Sequence, residues 1–183
     1  MIVIRRLGCP LSGRIQGGSW LFSLWCSYVR DGIPEDIEVY FSPKAGCTQA
    51  IVTELQKARS SVHVQAYSFT SALIAKALVD ANKRGVLIQV ILDKSQKTQI
   101  YSEADFLVHA GIPTFIDAKH AIAHNKIIII DGKTVITGSS NFSKAAEEHN
   151  AENLLVIHDK GLAEKYEENW HAHMAHSEAY AGR

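Results

Sequence analysis

His124-Asn125-Lys126-Ile127-Ile128-Ile129-Ile130-Asp131-Gly132-Lys133-Thr134-Val135-Ile136-Thr137-Gly138-Ser139-Ser140-Asn141 is the stretch from which the rest of the chain can be read. Its centre is a β-branched run without helical period, and the unbroken isoleucines indicate a strand buried on both faces. Asp131-Gly132 is a strong hairpin dipeptide, so residues 134–137 read as the return strand. Side chains two apart on a strand share a face, which puts His124 beside Lys126. Ser139 and Asn141 join them if the return strand stays extended. An imidazole, an ammonium, a hydroxyl and a carboxamide together suit a phosphate: one nucleophile or acid, one point charge and two neutral donors.

The spacing is H-x-K-x4-D-x6-G-S-x-N, and its chance occurrence in a chain this long is on the order of 10⁻⁵ or less. An attacking imidazole must be neutral and correctly oriented, and a carboxylate on its second nitrogen does both. Glu152 is the candidate for that role, because it opens the apolar segment 153–157 just after the motif. Asp131 is the weaker candidate. It sits at the turn, at the far end of the strand from His124, and reads as structural, as does Gly138. Taken singly, each of these residues fits a packed or solvated side chain; their joint spacing favours chemistry.

This pattern resembles the signature of the phospholipase D superfamily. The chain is similar to its small single-motif members, the bacterial endonuclease branch, over residues 36–176. The resemblance rests on the motif and on Ala66-Tyr67-Ser68-Phe69-Thr70, Lys83-Arg84-Gly85-Val86, Asn141-Phe142-Ser143-Lys144-Ala145-Ala146-Glu147 and Asn150-Ala151-Glu152-Asn153. It implies a metal-free phosphodiesterase with no cofactor, in which His124 forms a covalent phosphohistidine. Lys126 and Asn141 would bind the phosphate, Ser139 would be the motif serine, and Glu152 would support the histidine. The reaction asks for two histidines, one to attack phosphorus and one to protonate the leaving oxygen. The chain holds one full motif, and His158-Asp159-Lys160 lacks the residues that should follow it. The resemblance therefore implies a two-fold homodimer with a shared active site.

At 183 residues and 46% apolar composition, the chain is long enough for one domain with a real core. Strand and helix signals alternate from residue 37 onward. Strands are expected at 37–41, 61–69, 86–93 and 114–116, with helices at 48–58, from Thr70 or Ser71 to Arg84, at 102–110 and near 161–173. This means α/β, a single domain with a mixed β-sheet sandwiched between helical layers. Residues 177–183 read as a tail. Residues 1–35 look unlike the rest. Arg5 and Arg6 precede the apolar run 19–29, but glycines intervene and no small-residue cleavage site follows, so the segment reads as a poor signal peptide, an extension from an early start codon, or a disordered tail. The run is too short for a stable membrane span; the resemblance, to a family type whose members are often exported, slightly favours a periplasmic or secreted location over a cytoplasmic one.

The formal net charge is zero and the pI about 7.1, which excludes binding to nucleic acid by bulk charge. Local cations must then serve, and Lys94, Lys97, Lys119, His120, Lys126 and Lys144 lie on segments expected near the site. Cys9, Cys26 and Cys47 show no metal or disulfide spacing, and Cys47 reads as a small apolar residue at a helix start. Trp170-His171-Ala172-His173-Met174-Ala175-His176 invites a metal reading. No partner ligand with suitable spacing is evident elsewhere, so these read as histidines at a helix C-terminus, and no metal is expected. The leading function is an endonuclease on DNA or RNA. The alternatives are a phospholipase D or cardiolipin hydrolase type of lipid enzyme, and a non-catalytic phosphate-binding module. A lipid enzyme should show an apolar rim, a nuclease a basic groove.

Overall fold

The computed structural model describes residues 36–183, so the readings made for residues 1–35, Cys9 and Cys26 included, lie outside the described residues. One eight-stranded mixed sheet forms the centre, in the order β1-β7-β6-β5-β2-β3-β4-β8. The strands are β1 (Ile37–Phe41), β2 (Ser61–Ala66), β3 (Leu87–Asp93), β4 (Thr114–Asp117), β5 (Lys126–Ile130), β6 (Thr134–Gly138), β7 (Asn153–His158) and β8 (Glu178–Ala179). β2, β3 and β4 run parallel, joined by the helices α2 (Ala72–Lys83) and α3 (Ala104–His109). β5 reverses direction against β2, and the β5–β6 hairpin makes the sheet mixed.

Strand alternation divides the core into two layers. Val62, Val64, Ile88, Val90, Ile128, Ile130, Ile136 and Val156 face one side. There they pack against α2 and against α1 (Cys47–Lys57), which contributes Ile51 and Leu55. Ile91, Ile127, Ile129 and Val135 face the other side, beneath Ala163 and Trp170 of α5 (Lys160–Met174). The isoleucine run is thus buried on both faces, as its composition predicts. Trp170 is the anchor of α5. It is 1% exposed, its Nε1 donates to the carbonyl of Val64 at 3.0 Å, and its ring stacks on His63 at 4.3 Å. Burial pushes the Cys47 thiol up to about 11, which keeps it protonated and inert.

The hairpin forms as its sequence requires. Asp131 (φ 54°) and Gly132 (φ 62°) both take left-handed backbone, and Lys133 N closes the turn on the carbonyl of Ile130 at 3.1 Å. The Asp131 carboxylate then reaches a neighbouring loop. It accepts from Ser60 N (2.7 Å), Ser60 Oγ (2.8 Å), Ser61 N (3.1 Å) and Arg59 N (3.1 Å), which pins the start of β2 to the turn.

Three expectations need correction. Strand β2 ends at Ala66 rather than at residue 69; Phe69 makes only a single parallel bridge to Phe142. Ser71 stands at the N-cap of α2 but its side chain makes no capping bond. The segment beyond 176 is no tail: β8 pairs with β4, Tyr180 Oη donates to Asp105 at 2.7 Å, and Arg183 Nε does so at 2.8 Å. A two-residue strand has no periodicity to detect, so its partner alone defines it.

Candidate active site

The register fixes where the motif residues meet. Lys126 pairs with Ala66 at the end of β2. Ile127 pairs with Thr137, and Gly138 with Leu154, so one step further along the same sheet edge come His124, Ser139 and Glu152. The parallel strands also end on this edge, at Ala66, Asp93 and Asp117. The site therefore sits where strand ends and loops converge, with Asp131 about five residues or ~16 Å away at the opposite end of β5.

His124 is exposed, while Lys126 is only 6% exposed. The Lys126 Nζ lies 3.1 Å from His124 Nε2, 2.9 Å from the His124 carbonyl and 5.2 Å from the centre of the Tyr67 ring. An ammonium can only donate, so Nε2 accepts and carries the ring's lone pair. Lys126 thus favours the tautomer with the proton on Nδ1 and the lone pair on Nε2, and the Tyr67 ring, 4.7 Å from the His124 ring, limits its rotation. Tyr67 N donates in turn to the Asn125 carbonyl at 2.8 Å, which locks the β2 exit to the β5 entry. Burial pulls the Lys126 pKa below the ordinary lysine value, and the charge of Glu152 partly restores it.

Strand β6 does not stay extended past Gly138, as the sequence reading required for Ser139 and Asn141 to share its face. Gly138 has φ 152°, and a Cβ there would lie 2.3 Å from the Asn153 carbonyl oxygen. Only glycine permits this approach. The chain then folds around that oxygen, which accepts from Ser139 N and Ser140 N, each at 3.2 Å. Ser139 Oγ donates to Glu152 Oε2 at 2.6 Å and accepts from Asn153 N at 3.1 Å. Phe142 carries the loop back to the β2 exit: Thr70 N and Ser71 N donate to its carbonyl, and its own N donates to Ser68. Asn141 rides on this loop, and its Oδ1 is buried without a hydrogen-bond partner. Turned by 180°, the carboxamide presents its Nδ2 donor at that position instead.

Glu152 precedes β7, which pairs with β6 and not with β5, so one strand separates it from the strand that follows His124. Its carboxylate is held by Ser139 and by Asn150 Nδ2 (3.1 Å), not by His124. Within one chain it therefore acts on Ser139 and, through space, on Lys126. Most of the expected local cations are engaged elsewhere. Lys94 Nζ donates to the His120 carbonyl at 3.0 Å, Lys97 pairs with Glu178 at 3.6 Å, and Lys144 with Glu148 at 3.7 Å. His120 turns to Asp117, at 3.0 Å.

Sequence reasoning missed two contributors. Glu147, in the short helix α4 (Lys144–Glu148), accepts from Gly46 N (3.1 Å) and Thr48 N (2.7 Å) at the N-terminus of α1. There a carboxylate satisfies free amides and complements the dipole. The other is Asn153, around whose backbone the serine loop is built. Neither has a local signal, since the partner in each case is remote in sequence. A further set, Asp117, His120, His173 and His176, converges on the opposite face of the sheet edge.

Comparison with known proteins gives the family and the fold. The family described as "Cardiolipin synthase, PLD-like domain" matches residues 51–174. A curated relative, "Phospholipase D" of Rickettsia typhi, is 46% identical over 147 residues, covering 78% of this chain and 72% of its own. The "Mitochondrial cardiolipin hydrolase" of Danio rerio is 27% identical, over 75% of this chain and 58% of its own. The crystal structure of Nuc, a phospholipase D family member from Salmonella typhimurium, superposes with a TM-score of 0.76 at 38% identity, over 79% of this chain and 97% of that one. The fold is therefore the α/β architecture of these proteins, and the chain belongs to the phospholipase D superfamily, as a hydrolase acting on phosphodiester bonds.

Proposed function

We propose that this phosphodiesterase is an endonuclease that cleaves DNA or RNA through a covalent phosphohistidine, in a site shared by two subunits. The observation that carries the reading is the Lys126 Nζ to His124 Nε2 contact of 3.1 Å, a buried ammonium beside an exposed imidazole. Nε2 attacks phosphorus while Lys126 binds the phosphate oxygens, with Asn141 and Ser139 as neutral donors. As the P–N bond forms, the P–O bond to the leaving group breaks, and a second imidazole protonates the leaving oxygen. That imidazole then takes a proton from water, which attacks phosphorus and frees His124. Lys126 supplies the charge that a metal supplies in other phosphoryl-transfer sites, so catalysis needs no metal. The second imidazole is His124 of another copy of the chain. Glu152, bonded to Ser139, serves the phosphate-binding side and gains a histidine partner only in the assembled dimer.

An exposed nucleophile at an open sheet edge suits a phosphate in the middle of a polymer. Tyr101, 77% exposed beyond β3, offers a face on which a base can stack. A second reading rests on exposed apolar side chains: Ile100 (80% exposed) and Ile122 (58%), the latter two residues before His124, are of the kind that an apolar rim of a lipid phosphodiesterase needs. No helix among the described residues is long and apolar enough to cross a membrane.

The experiment is a side-by-side assay of full-length protein and His124→Ala. Plasmid DNA, RNA and vesicles of cardiolipin or phosphatidylcholine are each offered during brief exposure to chelator, with folding followed by circular dichroism. Cleavage of nucleic acid by wild type alone supports the proposal. Headgroup release with intact nucleic acid overturns it in favour of the lipid reading. A cleavage rate that depends on added magnesium or manganese, ions unsuited to a histidine-rich structural site, overturns the metal-free mechanism.

A further inference from the structure

Asp117 closes β4 on the face of the sheet covered by α5 and is 0% exposed. Three imidazoles converge on its Oδ2: His173 Nδ1 at 2.8 Å, His120 Nδ1 at 3.0 Å and His176 Nε2 at 3.4 Å. The ligand atoms of all four residues lie within 4.8 Å of one another. Hydrogen bonding accounts least for His176, whose buried Nε2 stands 3.4 Å from Oδ2, the longest of the three contacts and poorly aligned for a hydrogen bond. The residues come as two pairs at i, i+3 spacing, one spanning the end of β4 and the loop after it, the other the last turn of α5 and the turn after it. Such paired ligands recur in zinc sites. With zinc bonds of 2.0–2.1 Å in a tetrahedron, neighbouring donor atoms stand about 3.3 Å apart. The three carboxylate-to-imidazole separations of 2.8, 3.0 and 3.4 Å bracket that value. Three imidazoles and one carboxylate also form a borderline donor set suited to zinc rather than to magnesium or calcium.

We propose that Asp117, His120, His173 and His176 bind one zinc ion, which pins the loop that delivers His124 to the active site. With four protein ligands the site is closed, so the ion is structural and takes no part in the reaction. The site lies on the α5 face, whereas Lys126 projects to the α1–α2 face with Ala66 and Ile128. The connecting segment, residues 118–125, crosses the sheet edge between the two. Its later part is tied by Ala123 N donating to Asp93 Oδ2 at 2.7 Å, and its earlier part by Lys94 Nζ on the His120 carbonyl. Zinc on His120 adds a further tie and joins the loop to the C-terminal end of α5. The nearby group His63, Glu167 and His171 is the natural control. His63 Nδ1 is already paired with Glu167 at 2.5 Å, while His171 Nε2 stands off at 3.9 Å.

The test uses full-length protein, stripped by chelator, dialysed and titrated with zinc chloride alone. Metal content and melting temperature are read for wild type, His173→Ala, His176→Ala and His171→Ala. His176 follows α5 and is reached after the helix has ended, so its removal spares the fold. Wild type and His171→Ala should take up about one zinc per chain and melt higher with it. His173→Ala and His176→Ala should bind zinc roughly 100-fold more weakly and lose the thermal shift. Cobalt(II) substitution should give wild type the intense visible absorption of a tetrahedral site, a readout that needs no variant. Absence of zinc uptake at micromolar free metal, an octahedral cobalt spectrum, or binding lost in His171→Ala but kept in His173→Ala would overturn the assignment.

Discussion

Replacing Asp131 by alanine tests whether this motif carboxylate belongs to the scaffold or to the chemistry. In the fold it accepts from the backbone amides of Arg59, Ser60 and Ser61 and from the Ser60 hydroxyl. A hydrogen bond to a charged group contributes about 1.5–3 kcal/mol when buried. This loop is partly solvated, so amides freed by the substitution regain water, and about 1 kcal/mol for each of three amides is the appropriate scale. The expected loss is about 3 kcal/mol, or a melting temperature lower by roughly 6–12 °C for a domain of this size. Backbone φ at Asp131 is 54°, a conformation that asparagine tolerates, glycine adopts freely and alanine resists. Asp131→Asn keeps one acceptor oxygen and should be least damaged, Asp131→Gly intermediate and Asp131→Ala worst. Urea unfolding at constant m reads the differences. Burial alone would raise the Asp131 pKa, but its bonds to Ser60, Ser61 and Arg59 bring it below the usual carboxylate value. Its contribution is thus complete above the unfolded pKa of about 3.9 and is lost as pH falls through the lower folded value, so the gap to alanine should close in acid. A change under ~0.5 kcal/mol in Asp131→Ala would refute the buttress. So would a folded Asp131→Asn as inactive as His124→Ala.

Lys126→Met should abolish activity by at least ~10²-fold without lowering the urea midpoint, because it removes an ammonium that burial already disfavours. The same depression should bring the alkaline fall in kcat/KM below the ordinary lysine value of about 10.4, and wild-type stability relative to Lys126→Met should rise with pH through that window. An unshifted alkaline limb, or a marked loss of stability, would contradict the assigned environment. Gly138→Ala forces a Cβ against the Asn153 carbonyl, so it should cost about 1–3 kcal/mol and reduce kcat through displacement of Ser139. An unchanged melting temperature and rate would mean that the close approach is not needed.

The β-branched run 126–130, the Asp131-Gly132 turn and the strand–helix alternation were legible because each is a local pattern with its own period. The Lys126–His124 contact was legible as an i, i+2 pair, although β5 begins at Lys126 and His124 stands on the loop before it. What was hidden depended on distant partners. The serine loop departs from strand geometry at Gly138 because of Asn153 on the adjacent strand. Glu152 turned to Ser139 rather than to His124 because β7 pairs with β6 and not with β5. Glu147 caps a helix that precedes it by about a hundred residues, so no window could join them. The tail histidines looked unaccompanied because Asp117 and His120 reach them only through the packing of α5 on the sheet.

The central claim is that two copies of His124 meet in one site, and co-expression of wild type with His124→Ala under separate tags tests it directly. At equal amounts and random assortment, only about a quarter of dimers carry two wild-type chains. A shared site predicts about a quarter of the activity of the same mass of wild type, none in purified mixed dimers, and dimers in sedimentation. Half activity, an active mixed dimer or a fully active monomer would show instead that each chain carries a complete site of its own.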